Sequence, residues 1–438
     1  MRRPPIAAPF LALLAVAAPA TGQSRTDKLA LLFEEVFGPN GLRVNSEQVL
    51  PDGSTHSAHF NSGFQSNFTQ INIALASQLA SLPLPSPASG FTYRFDTATG
   101  TFVRSTQSFG PILTDRAETI GRGRFSFGYN FQFFSFDSIE GLKLDAIPAV
   151  FTHDDYQSGG GRADVVTTRN SIEASVTQMT AALTYGVTGR FDLSLAVPVV
   201  RTSLSVRSDA TIQRIGTVDP AIHFFRDPDA PGGYGTQRQF SASGDATGLG
   251  DLIVRAKGTV LREGNRGVAL GVDVRLPTGD EGDLLGSGAY GAKPFAAFSM
   301  AWGRLAPHVN VGYQWNGRSV LAGDVKANRR GEMPDQLLFA VGADIGVNDR
   351  FSLALDLLGQ RVIDSTRLYA TSFTPQGSGL TFPDVAYRRS TYTSTAGAVG
   401  FKLAVSRRVL ANFNLRFMID DAGLVDRAAP LVGLEYGF

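Results

Sequence analysis

Five histidines, His56, His59, His153, His223 and His308, are the first candidates for acid–base work in this chain, which has no cysteine to act as a thiol nucleophile or to form disulfides. Of the five, only His308 falls on a predicted strand, two residues before Asn310. A hydrolase built on it would need a serine beside the imidazole and an acid or amide to orient the ring. No Gly-x-Ser-x-Gly elbow accompanies it. His56 and His59 could bind a metal, but they sit in a polar stretch that reads as a solvated segment. Asp280, Glu281 and Asp283 offer hard oxygen ligands of the kind that suit Ca²⁺, without the spacing of a full ligand set. Gly286 to Lys293 has the glycines of a phosphate loop, but Ala292 stands where the motif requires Lys directly after Gly. The sequence therefore points away from an enzyme, and neither a cofactor nor a metal is expected.

The charged and amide residues that do form a pattern lie at alternate positions of apolar segments. Asp251, Arg255, Lys257, Asp273, Arg275, His308, Asn310, Gln314, Asp344, Lys402, Asn412 and Arg416 are interleaved with apolar neighbours, as are Asn130, Gln132, Glu173, Asp192, Asp356, Asn414 and Glu435. If the apolar rows face lipid, these rows face a lumen, because a charge on the lipid side near midplane would cost roughly 2 to 4 kcal/mol. They can line a polar conduit or binding chamber, or pair with one another, as Asp251 could with Arg275.

Strands must hold those rows. Phe125, Phe127, Tyr129, Phe131 and Phe133 alternate with small and polar residues, and the same period of two recurs through Phe191–Val199, Val268–Leu276, Leu337–Val347 and the terminal stretch that ends on Phe438. Ile172, Ala174 and Val176 form a row, and Ala181, Leu183 and Tyr185 continue it in the opposite phase, which predicts a β-bulge near Thr177 and Gln178. About twelve such segments follow Gly121, each close to the ~10 residues that a tilted membrane strand needs. Short turns (186–190, 262–267, 303–305, 348–350, 406–408) alternate with longer links (208–248, 278–293, 316–334, 363–390, 420–428). That is the pattern of a barrel with periplasmic turns and external loops. The fold expected is all-β, a transmembrane antiparallel up-and-down barrel of about twelve strands. If Leu142 to Phe151 were a wall strand, another near Thr101 to Ser108 would be required and the count would be fourteen.

The termini and composition agree with that class. Arg2 and Arg3, the apolar run Ile6 to Ala18 and Ala18-Pro19-Ala20 read as a secretory signal over residues 1–20, its end extending up to 23. No later apolar run is long enough for a helical span. A net charge of +1, 48 Gly and 31 Phe argue against nucleic acid as a partner, and a mean hydropathy of −0.01 fits half-apolar strands. Residues 24–120 read differently from the barrel region 121–438: Thr26 to Phe37 and Phe68 to Leu82 have helical spacing, and Phe91 to Arg104 could form a hairpin. This partly helical segment could lie in the periplasm or fold into the lumen as a plug. Aromatic residues at strand ends, Tyr185, Phe191, Trp302, Phe351 and Tyr436 at one and Tyr313, Trp315 and Tyr392 at the other, predict a double girdle. Trp302, Tyr436 and Phe438 are the expected membrane and assembly anchors.

Gly248-Leu-Gly-Asp251, Arg275-Leu-Pro-Thr-Gly-Asp280, Gly286-Ser-Gly288 and Asn310-Val-Gly-Tyr313 resemble the MetA-pathway phenol-degradation family of outer-membrane barrels, itself related to the FadL-like hydrophobic-compound transporters. The resemblance implies a channel or transporter in the cell outer membrane for small hydrophobic or aromatic solutes, and it supplies no catalytic residues. A structural or adhesive barrel whose long loops bind a partner is the alternative. The partners expected are outer-membrane lipid and lipopolysaccharide, the barrel-assembly machinery and the solute itself.

Overall fold

The computed structural model describes residues 28–38, 40–49, 58–61, 69–81, 93–96, 101–104, 107–153 and 163–437. The signal sequence, His56 and Phe438 lie outside the described residues.

Twelve strands form the wall: β1 (Phe125–Phe136), β2 (Val165–Gly186), β3 (Phe191–Gln213), β4 (Leu252–Glu263), β5 (Arg266–Leu276), β6 (Gly291–Met300), β7 (Leu305–Asn316), β8 (Gln336–Asn348), β9 (Phe351–Phe373), β10 (Phe382–Ala404), β11 (Val409–Met418) and β12 (Ala428–Gly437). Each pairs antiparallel with its chain neighbour, and β12 returns to β1 with Leu431 opposite Gln132 and Gly437 opposite Ser126. Closure leaves no free edge at bilayer height, which a strand in hydrocarbon requires. Outward residues such as Leu183, Leu195, Val254, Val311, Phe339, Leu355 and Leu434 form an exposed apolar belt, the surface of a transmembrane barrel. Tyr185, Phe191, Trp302 and Tyr436 are exposed at the short-turn end, and Tyr313 and Trp315 toward the other.

The count of twelve follows from where the two ambiguous segments go. Thr101–Arg104 pairs with Tyr93–Asp96 in a separate hairpin, and Ile147–His153 pairs with Val165–Asn170 of β2, beyond the end of β1. Neither enters the ring.

Four strands are much longer than a bilayer needs. β2 has 22 residues and β3, β9 and β10 have 23 each; they project past the membrane at the long-loop end. Much of the expected links 208–248 and 363–390 is therefore strand. Gln237–Leu249 pairs with the upper part of β3, and β9 and β10 pair as far as Phe373 and Phe382. A one-residue offset separates Leu249, opposite Val199, from Ile253, opposite Ala196, with the Gly250 N–H donating to the Pro198 carbonyl at 2.8 Å. The sheet grows sideways too, since Ala58–Asn61 and then Leu42–Val44 join Ile147–His153.

The predicted bulge at Thr177 and Gln178 is absent: β2 pairs with β3 from Gly186 to Val165 in unbroken register. Ile172, Ala174 and Val176 face inward and Glu173 is exposed on the outside, so Glu173 does not face the lumen. The environment changes at Thr177, not the register. Below it lipid lies outside the wall; above it water does, and the inside holds an apolar core with Phe33, Phe37, Phe60, Phe151, Val166 and Leu204. The Phe37 ring sits edge-on to Phe151 at 5.2 Å and to Phe240 at 5.1 Å. Helices Leu32–Glu35 and Thr69–Ser81 belong to this end. Tyr392 also departs from the expected outer girdle; it lies opposite the buried Val362 and beside the Arg367 guanidinium, which is 4.8 Å from its ring.

Candidate functional site

Residues 107–120 cross the short-turn half of the lumen without secondary structure of their own, so their backbone must find partners on the wall. The Phe109 N–H donates to Ser352 Oγ at 3.0 Å, Ala117 N–H to Ser299 Oγ at 3.0 Å and Ile120 N–H to Asp192 at 3.0 Å. Thr259 donates to the Ala117 carbonyl at 2.5 Å and Lys257 to the Arg116 carbonyl at 3.2 Å. The segment then turns into β1 through Gly121 and Gly123, both at positive φ. Gly186 lies so close to the Gly121 carbonyl that a Cβ there would collide with it.

Charges from this segment and from the wall meet in two networks. In the first, Arg116 pairs with Asp344, which also accepts from Ser108 at 2.7 Å and lies 3.3 Å from His308 Nδ1. His308 Nε2 is 2.7 Å from Asp356 and 2.9 Å from Thr114. In the second, Arg255 reaches Asp273 at 2.6 Å and Asp115 at 2.7 Å, and Lys293 shares Asp273 at 2.9 Å. Asn310 brackets the Asp115 backbone, donating to its carbonyl at 2.8 Å and accepting from its N–H at 2.6 Å. Lys402 and Glu435 form a third, wall-to-wall pair at 2.8 Å, with Asn412 3.5 Å from the same carboxylate. His308 thus ties Thr114 of the inner segment to Asp356 of the wall through Nε2, with Nδ1 beside Asp344.

Between the inner segment and the C-terminal end of helix Thr69–Ser81 lies a cavity of about 170 Å³. Leu113 to Asp115 line it from one side, and Gln78 and Ala80 from the other. The wall contributes Arg255, Asp273, Arg275, Lys293, Asn310, Gln314 and Arg416 together with Phe295, Leu338, Ala340, Leu358 and Ala396. Arg275 ties wall to helix by donating to the Ala80 carbonyl at 2.8 Å and to Asn316 at 2.7 Å, and Gln314 donates to the Trp315 carbonyl at 3.0 Å.

The family model described as "putative MetA-pathway of phenol degradation" matches residues 150–375, just over half of the chain. The chain belongs to this family. Its fold is similar to an outer membrane channel from Pseudomonas putida F1, at 16% identity and a TM-score of 0.45, over 74% of this chain and 99% of that one. It is also similar to a Pseudomonas aeruginosa FadL homologue, at 9% identity and a TM-score of 0.31, over 80% and 94% of the two chains. A monoaromatic hydrocarbon channel, CymD, matches at 12% identity and a TM-score of 0.28, over 72% of this chain and 88% of that one. No curated protein matches the chain.

In this member of the MetA-pathway family the Gly-rich motifs close on one carboxylate. Asp251 accepts from Gly279 N–H at 3.1 Å, Ser287 N–H at 2.8 Å and Ser287 Oγ at 2.6 Å, and lies 3.6 Å from Arg275. It fastens the 277–290 loop over the wall and is absent from the cavity lining. The acidic cluster beyond it is neutralised by cations. Lys28 bridges Asp280 at 2.8 Å and Asp283 at 2.5 Å, and Arg330 holds Glu281 at 2.7 Å. Burial opposes the Lys28 charge, but the two carboxylates outweigh it and raise its pKa above the usual lysine value. Of the twelve lumen candidates ten are buried and Asn310 and Arg416 half-buried; eleven lie on wall strands and Asp251 in the short connection before β4. Leu113, Thr114, Asp115 and Arg116 could not be placed from their spacing, because they lie in a stretch with no strand period.

Proposed function

We propose that the protein is an outer-membrane channel that admits small hydrophobic or aromatic solutes through the cavity in its lumen, with the short turns in the periplasm and the projecting strands outside the cell. The cavity carries this reading. It lies inside a barrel whose outer surface suits lipid, it is lined by both apolar and hydrogen-bonding groups, and its ~170 Å³ compares with the roughly 150 Å³ of an apolar cavity that holds benzene. Lipopolysaccharide would surround the projecting half, and the barrel-assembly machinery would close β12 on β1. Residues 107–120 narrow the short-turn half, so solute passage requires that this segment shift or that the path run beside it.

Planar-bilayer recordings of the refolded full-length protein, with phenol added to one side, test the reading. Discrete channels that phenol blocks in a concentration-dependent way are expected. A protein that inserts as a heat-modifiable barrel yet gives neither conductance nor phenol-dependent blockade overturns it and favours a structural or adhesive barrel.

A further inference from the structure

Arg416 differs from every other cation on the cavity. Arg255, Lys293 and Arg275 each have a carboxylate, and Arg275 also donates to oxygens of Ala80, Ala289 and Asn316. The Arg416 guanidinium donates to Met418 Sδ at 3.3 Å, a weak acceptor for a group with five N–H donors. Among the described residues no carboxylate lies within ion-pair distance of it; Asp426 acts on it only from farther away. It sits on the inward row of β11, opposite Ala398 of β10 and Ala429 of β12, and opens into the cavity. The lining as a whole carries four cations, Arg255, Arg275, Lys293 and Arg416, against two carboxylates, Asp115 and Asp273. A half-buried guanidinium that opens into a cavity and has no carboxylate beside it is open to an anion, and its planar fork fits a carboxylate in bidentate fashion.

From this we infer that the preferred solute is a monoaromatic acid, whose carboxylate docks on Arg416 while its ring rests against Leu358, Ala396 and Leu338. The inference rests on the channel reading above and specifies its substrate. The apolar residues are placed for it. Leu358 lies opposite Ala396 and Leu338 opposite Gln360 on adjacent strands, so the ring surface adjoins the wall that carries the cation. The other cations are already neutralised and would not compete for the anion.

Calorimetric titration of the full-length protein in detergent with benzoate, benzylammonium and toluene tests this, alongside blockade of single-channel current by the same three solutes. Wild-type protein is expected to bind benzoate in preference to benzylammonium. Arg416→Gln should weaken benzoate by about tenfold or more, the size of a lost charge-assisted hydrogen bond, with toluene little changed, and Arg416→Lys should recover part of the loss. Benzoate affinity unchanged in Arg416→Gln, or benzylammonium bound as well as benzoate by wild type, overturns the inference. Toluene binding without benzoate binding overturns it and leaves the channel standing; absence of both binding and conductance removes the channel reading as well. Heat-modifiable mobility reports whether Arg416→Gln inserts. If it does not, the wild-type comparison of benzoate with benzylammonium decides.

Discussion

Along β2 and β3 the same two backbones serve opposite environments in their two halves. Toward the short turns the outward row is Tyr185, Leu183 and Met179 on β2 and Phe191, Leu193, Leu195, Val197 and Val199 on β3, and the inward row holds Thr184, Thr180, Gln178, Asp192 and Ser194. Beyond Thr177 and Val199 the chemistry reverses: Glu173, Ser171, Arg169, Arg201, Ser203 and Arg207 lie outside, and Val176, Ile172, Val166, Leu204 and Val206 inside. Backbone hydrogen bonding continues unchanged across the boundary. The lower half is held against lipid, which offers no hydrophobic gain for an inward core, so its interior is free to be charged and is organised by ion pairs. The upper half stands in water and must bury apolar surface inside, as any soluble sandwich does. The bilayer edge can therefore be read from the point where polarity changes sides.

The largest expected effect is in the ion-paired half. Asp344→Ala removes the carboxylate shared by Arg116, Ser108 and His308. Removing one partner of a buried ion pair should cost about 3–5 kcal/mol, read as a drop in the denaturant midpoint in lipid vesicles. A shift as small as that of a surface substitution would mean that Asp344 is not what compensates the Arg116 charge.

That cost could not be foreseen from the strand pattern. The period of two places Asp344 inward, and it places every other lumen candidate inward as well, because a barrel wall has only two faces. It cannot supply Arg116, which arrives from residues 107–120, where no repeat constrains the side-chain direction. The same limit explains Glu173 and Tyr392. Periodicity identifies which residues share a face, but the identity of that face is set by the solvent, and the solvent changes part-way along β2 and β10. The number of strands was legible because turn and link lengths alternate; the lengths of β9 and β10 were not, because their projecting parts are polar outside and read as loop.

The next effect belongs to the upper half. Leu204 is 1% exposed in the apolar core, and Leu204→Ala should cost about 2–5 kcal/mol through lost burial and the cavity left behind. Its signature is selective: the projecting sheet should lose protection in hydrogen exchange while β4 to β8 keep theirs. Uniform loss of protection would show that the two halves unfold as one unit and that the boundary is chemical only.

A pair of arginines on one row of one strand tests the boundary itself. Leu195 and Ser203 both point outward on β3 and both are exposed, but Leu195 lies between Leu183 and Val254 in the apolar belt whereas Ser203 faces Ser175 and Asp245 on its neighbours. Leu195→Arg sets a charge against hydrocarbon and should cost roughly 2–4 kcal/mol if it lies near the midplane. Ser203→Arg sets the same charge in water beside the Asp245 carboxylate and should stay within about 0.5 kcal/mol of the parent. The measurement is the unfolding midpoint of each variant in vesicles, with a detergent series beside it. Detergent should narrow the difference, because a micelle thins around a charge more readily than a bilayer. If Ser203→Arg is as costly as Leu195→Arg in vesicles, lipid reaches Ser203, the bilayer edge lies about four residues or more beyond Val199 on β3, and the polar outer row above Thr177 faces headgroups instead of open water.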